Sequence, residues 1–329
     1  MRPIVLKSLK AIFLKFLFPS IIDVMKTIEQ IAQFFNESKD FKGSVKLNEN
    51  IASHTTMHVG GNAKIFLEPQ SSESLALSLK FLSSEKIKFF LMGGGSNVII
   101  SDKGLDVVVS TRKLNSVSEK SNILSCGAGS SWGSVIALCK KNNLKGFEAL
   151  TGLSGTVGGA IFMNASCFGS STSDNLLGCD YIDLSDFKIH RYEKKDSDWG
   201  YKKSPFQDSQ KIVVRADFSV GRGFDTVLSE KCMSARNEKG HFRSPSSGSA
   251  FKNDHQKNII AGKVIEECGL KGYSVGGAQI APWHGNFIIN SEMKAKASDI
   301  KTLSEDVKKI VLEKKGILLE SEILFIGDF

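Results

Sequence analysis

One glycine-dense stretch decides the fold of this chain: Phe147-Glu-Ala-Leu-Thr-Gly-Leu-Ser-Gly-Thr-Val-Gly-Gly-Ala-Ile-Phe-Met-Asn-Ala165. Glycine lacks Cβ, so it reaches positive φ and lets a backbone approach a ligand closely. Successive free N–H groups in such turns form an anion-binding concavity. A tight loop between buried strands is the alternative interpretation. A second cluster upstream, Met92-Gly-Gly-Gly-Ser-Asn97, favours the ligand-binding one.

Length and composition limit the possible classes of protein. A chain of 329 residues exceeds the usual size of a single core, so we expect two or three domains. With 41% hydrophobic and 24% charged residues, the chain is typical of a soluble globular protein. Its net charge of +8 is spread along the chain, which argues against nucleic-acid binding but favours anionic substrates. The six cysteines lack CxxC or metal-type spacing, which predicts reduced thiols, a cytoplasmic protein and no metal site.

Residues 1–24 differ from the rest, because lysines and an arginine interrupt their apolar residues. The longest uncharged run is too short to span a bilayer. We interpret the segment as an N-terminal extension or start-site artefact, because Met25 begins a sensible helix. A signal peptide and a surface-lying amphipathic helix are the alternatives.

The body of the chain alternates between helical and strand patterns, which predicts an α+β protein. We place a boundary near Arg222, which separates residues 25–222 from residues 223–329. The predicted helices are Met25–Asn36, Ser72–Ser84, Ser131–Asn143, Phe224–Lys239, Asn258–Cys268 and Ser298–Lys314. The predicted strands are Ala63–Leu67, Ile87–Met92, Val98–Ile100, Asp106–Ser110, Asn122–Cys126, Cys179–Leu184, Lys188–Tyr192, Ile212–Val220 and a closing strand Ile317–Ile326.

The two glycine clusters match neither common nucleotide motif. The chain has no G-x-x-x-x-G-K-[ST] P-loop, and no G-x-G-x-x-G lies between a strand and a helix. The clusters are about sixty residues apart, with short strands and one helix between them. This spacing predicts a two-lobed α+β cradle for an extended diphosphate ligand.

Several motifs in one order resemble a known family. Met92–Asn97, Gly127-Ala-Gly-Ser-Ser-Trp-Gly133 and Gly152–Ala165 resemble the FAD-binding half of the UDP-N-acetylenolpyruvoylglucosamine reductase (MurB) family. The later motifs of that family are matched in order by Gly200-Tyr-Lys-Lys-Ser-Pro-Phe206, Gly248-Ser-Ala-Phe-Lys-Asn253, Gly276-Gly-Ala-Gln279 and Leu319-Glu-Ser-Glu-Ile-Leu-Phe-Ile-Gly327. The resemblance covers residues 46–327. Each motif alone is weak, but their shared order is specific.

The resemblance implies an FAD-binding domain of the vanillyl-alcohol-oxidase (PCMH) type over residues 25–222. A C-terminal α+β substrate-binding domain with the closing strand would follow over residues 223–329. The implied activity is NADPH-dependent, FAD-mediated reduction of UDP-N-acetylglucosamine enolpyruvate to UDP-N-acetylmuramate in peptidoglycan synthesis, and so in cell shape and division. A cytoplasmic monomer without nucleic acid or stable membrane insertion is expected.

The resemblance also implies which residues bind the ligands. For FAD they are Gly93, Gly94, Gly95, Ser96, Asn97, Gly127, Gly152, Ser154, Gly155, Thr156, Gly158, Gly159, Ala160 and Asn164. For the sugar nucleotide they are Tyr201, Lys252, Asn253 and Gln279. The short interval between Ser204 and Ser249 is similar to the family's subtype that lacks a tyrosine-bearing flap.

Three catalytic residues follow from the same resemblance. Ser249 matches the family's proton-donating serine, although a turn serine bonded to its own backbone is the alternative. Glu322 matches the glutamate that stabilises the enolate, with Glu320 as the alternative of the same parity. Lys202 occupies the position of an enolate-binding arginine. Lysine keeps the charge but loses the planar fork that grips a carboxylate with two bonds.

Two further positions depart from the family pattern. Leu324 replaces a common basic residue, and Ser154 replaces a usual proline. Together with Lys202 they motivate an alternative hypothesis, a non-catalytic or altered flavin-binding protein of the same fold. His284 is interpreted as structural.

Overall fold

The computed structural model describes residues 26–207 and 209–329, so the predicted extension over residues 1–24, and Met25, lie outside the described residues. The described part of the chain has seven α-helices. They are α1 (Ile28–Glu37), α2 (Ser72–Ser84), α3 (Trp132–Lys141), α4 (Val157–Met163), α5 (Thr226–Glu238), α6 (Ala261–Glu267) and α7 (Ala297–Lys315).

Strands are more numerous than helices and most are short. In chain order they are β1 (Gly43–Asn50), β2 (Asn62–Pro69), β3 (Phe90–Met92), β4 (Val98–Ile100), β5 (Leu105–Ser110), β6 (Val117–Lys120), β7 (Ile123–Gly127), β8 (Leu144–Lys145), β9 (Ser166–Cys167), β10 (Ser170–Ser171), β11 (Leu176–Asp183), β12 (Ile189–Glu193), β13 (Lys211–Ser219), β14 (Gly221–Arg222), β15 (Ser246–Ser249), β16 (Ser274–Val275), β17 (Ala278–Ile280), β18 (Phe287–Ile289) and β19 (Leu324–Ile326).

Two sheets organise the first two thirds of the chain. One has the order β1-β2-β5-β3, and the other has the antiparallel order β12-β11-β13-β7-β6. Apolar residues of α1, α2 and both sheets share one core. A second core lies between the five-stranded sheet and helices α3 and α4, where Trp132, Phe147 and Phe218 are fully buried. The glycine-dense stretch lies against this second core.

The C-terminal part forms a third layer. Strands β15-β18-β17-β16 make an antiparallel sheet, and α6 and α7 bury their apolar residues against it. This core also takes in Met57, Val59 and Ile99 from the first part of the chain. Strand β19 returns to pair in parallel with β4, directly after the upstream glycine cluster. Segments far apart in sequence therefore meet at that cluster.

The predicted helices and strands are present, with some shorter than expected. Helix α2 matches its predicted bounds, because Ser71 caps it by accepting a hydrogen bond from Ser74 N–H. The closing strand predicted over Ile317–Ile326 is wrong in extent, since only Leu324–Ile326 is a strand. Residues 320–322 instead make separate backbone bonds to residues 250–252. The strand β1 was not predicted, because it lies at a sheet edge and its residues do not alternate in burial.

Two general features concern the whole described chain. Among residues 26–207 and 209–329, no helix is long and apolar enough to cross a membrane. All six cysteines are free; five are buried and Cys167 is half-buried. Burial raises the pKa of the Cys126 and Cys139 thiols to about 12, so these two are inert.

Candidate functional site

The two glycine clusters lie in direct contact. A Cβ added to Gly94 would lie 2.7 Å from Gly155 Cα, and one added to Gly93 would lie 2.8 Å from Thr156 Oγ1. Gly155 has a φ of +97°, and its added Cβ would lie 2.5 Å from Ser96 Oγ. Side chains at these positions would separate the two loops. Both clusters therefore need glycine, because the loops are too close together to accommodate a Cβ.

The glycine-dense stretch is a turn followed by a short helix. Thr156 caps α4, since its hydroxyl accepts from Gly159 N–H at 3.4 Å. Gly158 lies against residue 128, where an added Cβ would be 2.8 Å from Ala128 Cβ. Gly158 N–H donates to Ala128 O at 2.8 Å, which ties the Gly127–Gly133 motif to the stretch. Three predicted cofactor motifs thus form one backbone-rich surface.

A cleft of about 360 Å³ opens on that surface. This volume lies within the usual range for small-molecule sites. Its lining combines glycine backbone with hydroxyl, amide and guanidinium groups: Thr56, Gly94, Arg112, Asn115, Gly129, Ser130, Ser131, Ser134, Gly155 and Thr156. Such groups suit the phosphates and polar edges of an extended nucleotide cofactor.

The residues that sequence reasoning missed in this cleft had a visible signal. Gly129, Ser130 and Ser131 belong to the Gly127–Gly133 motif, of which only Gly127 was selected. Thr56 lies in the Thr55-Thr-Met-His-Val-Gly-Gly61 turn, and its hydroxyl donates to Ser246 O at 2.7 Å. Arg112 had no signal, because a lone arginine after a strand is common.

Some predicted cofactor residues do not line this cleft. Asn164 ends α4 with a φ of 40°, and its amide donates to Gly200 O at 2.8 Å. Its carbonyl accepts from Ser173 N–H at 3.3 Å. Ser154 is exposed, and Ala160 is buried in the core. Through its hydrogen bond to Gly200, Asn164 stabilises the loop that carries Lys202.

Lys202 and Glu322 meet although they are distant in sequence. Lys202 Nζ lies 2.6 Å from Glu322 Oε1, and the two side chains are only 13% and 12% exposed. Lys202 has a φ of 54°, a left-handed conformation that is uncommon for residues other than glycine. Ser204 anchors the same loop by donating to Phe162 O at 2.8 Å. Lys202 and Glu322 therefore form a largely buried ion pair.

Backbone hydrogen bonds place Glu322 between the glycine cluster and the predicted proton donor. Asn97 Nδ2 donates to Glu322 O at 3.1 Å, and Glu322 N–H donates to Ala250 O at 2.8 Å. Ser249 is the residue before Ala250, at the end of β15, and pairs with Phe287 of β18. Gly248, with a φ of +73°, turns the strand immediately before it. Ser249 and Glu322 thus lie on adjacent segments.

The predicted substrate residues are divided between this centre and its rim. Tyr201 is half-exposed, and burial together with the Glu322 charge raises its pKa. Its ring meets that of His255 edge-on, with centroids 4.6 Å apart. Lys252 Nζ lies 2.6 Å from Glu320 Oε1, and the Glu320 side chain is 63% exposed. Glu320 therefore lies at the rim, whereas Glu322 lies inside.

Two predicted substrate residues already have protein partners. Asn253 Oδ1 accepts from Ala261 N–H at 3.0 Å at the start of α6. Gln279 Nε2 donates to Gly272 O at 3.1 Å, and this amide is not linked to the Lys202–Glu322 pair by any hydrogen bond in the described chain. Leu324, the departure from the basic pattern, donates its N–H to Asn97 O at 3.0 Å within the β19 edge. In the described residues, no group of three or more His, Cys, Asp or Glu side chains could hold a metal ion.

Comparison with known proteins decides the family. The "FAD binding domain" model matches residues 63–192, and the "UDP-N-acetylenolpyruvoylglucosamine reductase, C-terminal domain" model matches residues 240–326. The reductase of that name from Treponema denticola is 42% identical over 88% of this chain and 95% of its own. The chain belongs to the UDP-N-acetylenolpyruvoylglucosamine reductase family. This confirms the resemblance inferred from the motifs.

Further relatives agree with this assignment. The reductase from Borrelia garinii subsp. bavariensis is 38% identical over 91% of this chain and 98% of its own. The crystal structure of the reductase from Thermus caldophilus matches with a TM-score of 0.72 and 28% identity, over 87% of this chain and all of that one. The predicted α+β fold is confirmed, with an FAD-binding domain followed by the C-terminal domain of this reductase family.

Contact between the glycine loops leads to a prediction about flavin binding. Gly94→Ala puts a Cβ 2.7 Å from the Gly155 backbone, which cannot move away as a flexible side chain would. We expect FAD to bind about tenfold more weakly or worse, a change of about 1.4 kcal/mol. Quenching of flavin fluorescence on titration with protein measures the affinity.

Gly133→Ala is the comparison within the cofactor motifs, because it adds the same methyl group without a close contact. Gly133 lies in α3, and an added Cβ would meet nothing closer than 3.9 Å. Alanine also favours a helix over glycine. Wild-type affinity for both variants would show that the two loops do not need close contact to hold the cofactor.

Proposed function

We propose that this protein reduces the enolpyruvyl ether of UDP-N-acetylglucosamine enolpyruvate to UDP-N-acetylmuramate, with NADPH as reductant and Lys202, Ser249 and Glu322 as the catalytic residues. The observation that carries the proposal is the inward-facing Lys202–Glu322 pair at 2.6 Å, between the glycine cluster and the strand of Ser249. Membership of the reductase family supports the reaction.

The residues present fit an FAD. Gly93, Gly94 and Gly155 form a cradle that any Cβ would fill, and the adjoining cleft offers backbone and hydroxyl groups. Gly127, Gly152, Ser96 and the start of α4 complete the proposed set. When bound, FAD would supply the hydride-transfer chemistry that links NADPH to the enolpyruvyl group.

Lys202 would stabilise the negative charge that develops on the substrate, and Glu322 would position Lys202. Hydride addition to the terminal enol carbon leaves negative charge delocalised into the adjacent carboxylate. A fixed cation in a largely dehydrated site stabilises such charge more than one in water. Glu322 holds the Lys202 ammonium in place, and its backbone is tied to Asn97 and Ala250. The pair therefore keeps the cation where the charge forms.

Ser249 would donate the proton that completes the reduction. The carbon beside the carboxylate needs a proton from a group within hydrogen-bond reach. The turn at Gly248 ends strand β15 at Ser249, and the segment that follows it bonds to Glu322. Tyr201, Lys252, Asn253 and Gln279 are proposed to bind the sugar nucleotide, with Lys252 and Tyr201 at the rim.

The function is tested with the purified yellow protein, NADPH and the enolpyruvyl sugar nucleotide. We expect NADPH absorbance to fall only when the sugar nucleotide is added, with one UDP-N-acetylmuramate formed per NADPH. Absence of substrate-dependent NADPH loss would support the alternative, a non-catalytic flavin-binding protein of the same fold. The family membership does not favour that alternative.

Restoring the family's arginine is a further prediction. Lys202→Arg would give the cation a planar fork for the substrate carboxylate, and we expect turnover to rise by about threefold to tenfold. Steady-state kcat is the measurement, with Lys203→Arg as the neighbouring control. Unchanged turnover in Lys202→Arg would contradict the view that this lysine orients the enolate less firmly than arginine.

The wider setting is part of the proposal. We place the reaction in peptidoglycan precursor synthesis, and through it in cell shape and division. The thiols are free and mostly buried, which fits a cytoplasmic location. We propose a monomer, and size-exclusion chromatography with light scattering measures its mass.

A further inference from the structure

The cleft beside the glycine loops has one charged side chain in its lining. Of the ten lining residues, three are glycine and six are serine, threonine or asparagine, and the tenth is Arg112. Arg112 is exposed, so a ligand in the cleft can reach its guanidinium. Among residues 26–207 and 209–329, no carboxylate forms an ion pair with it. The cleft therefore holds a cation that has no counter-ion from the described chain.

Strand order explains why Arg112 lies beside the glycine loops. Strands β3 and β5 are parallel neighbours, with Met92 opposite Ser110, so their carboxyl ends open at the same edge of the sheet. The Gly93–Gly95 turn follows β3, and Arg112 follows β5 by two residues. Thr111 N–H donates to Met92 O at 2.9 Å, which extends the pairing to the residue before Arg112. The carboxyl ends of parallel strands are where ligands commonly bind.

The Gly127–Gly133 motif fixes the backbone of Arg112 from the other side. A Cβ added to Gly129 would lie 2.8 Å from the carbonyl carbon of Arg112. Gly129 N–H donates to Leu114 O at 2.8 Å, and Arg112 N–H donates to Ser110 Oγ at 3.3 Å. Backbone contacts therefore hold the turn that carries Arg112. A substitution of the exposed side chain should change the charge of the cleft without moving this turn.

The chemistry of the lining suits a diphosphate. Gly94 and Gly155 bring backbone to the surface of the cleft, and the serine and threonine side chains add hydroxyl groups. These donors are neutral, whereas a diphosphate is negatively charged near pH 7. A guanidinium supplies the missing counter-charge, and its planar fork can donate two parallel hydrogen bonds to phosphate oxygens. Arg112 thus completes an otherwise neutral anion cradle.

We propose that Arg112 is the counter-ion of the FAD diphosphate and so a further cofactor-binding residue. Three ligands of the proposed reaction carry a diphosphate: FAD, NADPH and the sugar nucleotide. The position of the cleft favours FAD, because its lining comes from the glycine loops and does not include Lys202, Ser249 or Glu322. The proposal rests on the proposed function only through its cofactor, and not through its substrate.

The test compares the flavin-loaded Arg112→Gln and Arg112→Lys variants with the wild type. The fluorescence of FAD released on dilution gives its Kd. We expect Arg112→Gln to bind FAD about tenfold more weakly, and Arg112→Lys to recover part of the loss, because lysine keeps the charge but not the fork. Added salt should raise the wild-type Kd more than that of Arg112→Gln, since salt screens an ion pair. A purely structural role would leave the salt dependence unchanged.

Lys113→Gln is the matched control. Lys113 is also exposed and is the next residue along the chain, but it does not line the cleft. Its removal changes the net charge by the same amount, and the FAD Kd should stay within about twofold of the wild-type value. The NADPH Kd from the rate of flavin reduction, and the UDP-N-acetylmuramate Kd from flavin absorbance, should stay constant in all variants.

Other outcomes overturn the proposal. A wild-type FAD Kd in folded Arg112→Gln, or in Arg112→Lys if only that variant folds, means that Arg112 does not bind the diphosphate. An equal loss in Lys113→Gln indicates an effect of net charge, and a change confined to the Kd of NADPH or UDP-N-acetylmuramate assigns the cleft to that ligand. Failure of both Arg112 variants to fold, judged by circular dichroism, assigns Arg112 a structural role. A wrong proposed function would appear differently, as a wild type that does not reduce the sugar nucleotide while its FAD Kd still depends on Arg112.

Discussion

Ser249→Ala should leave reduction of the flavin by NADPH at the wild-type rate and lower kcat for the sugar nucleotide by about 10²- to 10⁴-fold. The magnitude is that of losing a positioned general acid. The reason is that NADPH oxidation needs no proton from this hydroxyl, whereas completing the substrate does. Stopped-flow absorbance with NADPH alone, followed by steady-state turnover, separates the two half-reactions.

Ser247→Ala is the matched control, two residues earlier in β15. Among the residues that the structure describes, the buried Ser247 hydroxyl has no hydrogen-bond partner, so its removal should leave turnover unchanged and stability equal or higher. Equal loss of both half-reactions in Ser249→Ala would argue for a flavin-binding role instead of proton donation. A large loss in Ser247→Ala alone would transfer the donor role to that residue.

Glu322→Gln should lower kcat by at least about 10²-fold and destabilise the protein by up to about 3 kcal/mol. Glutamine keeps the shape of the side chain but leaves the largely buried Lys202 ammonium without its counter-charge. Removing one partner of a buried pair costs more than the pair contributes, because the other charge remains. Turnover and thermal unfolding of the flavoprotein measure the two effects.

Glu320→Gln is the control for this prediction, since sequence parity left both glutamates open. Its partner Lys252 is at the rim and its own side chain is 63% exposed, so the pair contributes at most about 1 kcal/mol. The double variant Lys202→Met with Glu322→Gln should lose much less than the sum of the single losses. Additive losses, or a larger effect from Glu320→Gln, would remove the Lys202–Glu322 pair from the mechanism.

The glycine loops could be predicted from the sequence because their requirement is local. The backbones at Gly94 and Gly155 approach so closely that a Cβ would clash, and a local density of glycines in the sequence indicates such positions. Ser249 and Glu322 became visible only through a resemblance to a family. Taken alone, a serine in a turn and a glutamate near apolar residues are common, and their adjacency depends on backbone bonds between residues 250 and 322.

Other features required the folded chain. Arg236 looks like part of the polar face of a helix until α5 is packed against Thr151. The closing strand was predicted too long because apolar residues such as Leu319 and Ile323 give the sequence the pattern of a continuous strand. Both residues are indeed buried. Their burial is instead in the C-terminal core, while the bonds of residues 320–322 go to another segment. Such long-range pairings leave no periodic signal.

The return of β19 to β4 has a consequence for the order in which a nascent chain becomes functional. Asn97 and Glu322, which share a hydrogen bond, are 225 positions apart. Both glycine loops leave the ribosome long before Glu322 does, so cofactor-holding segments exist while Lys202 still lacks its partner. Translation must reach at least Ile326 before the β19 edge can form. The Lys202–Glu322 ion pair is therefore completed only after both glycine loops have been made.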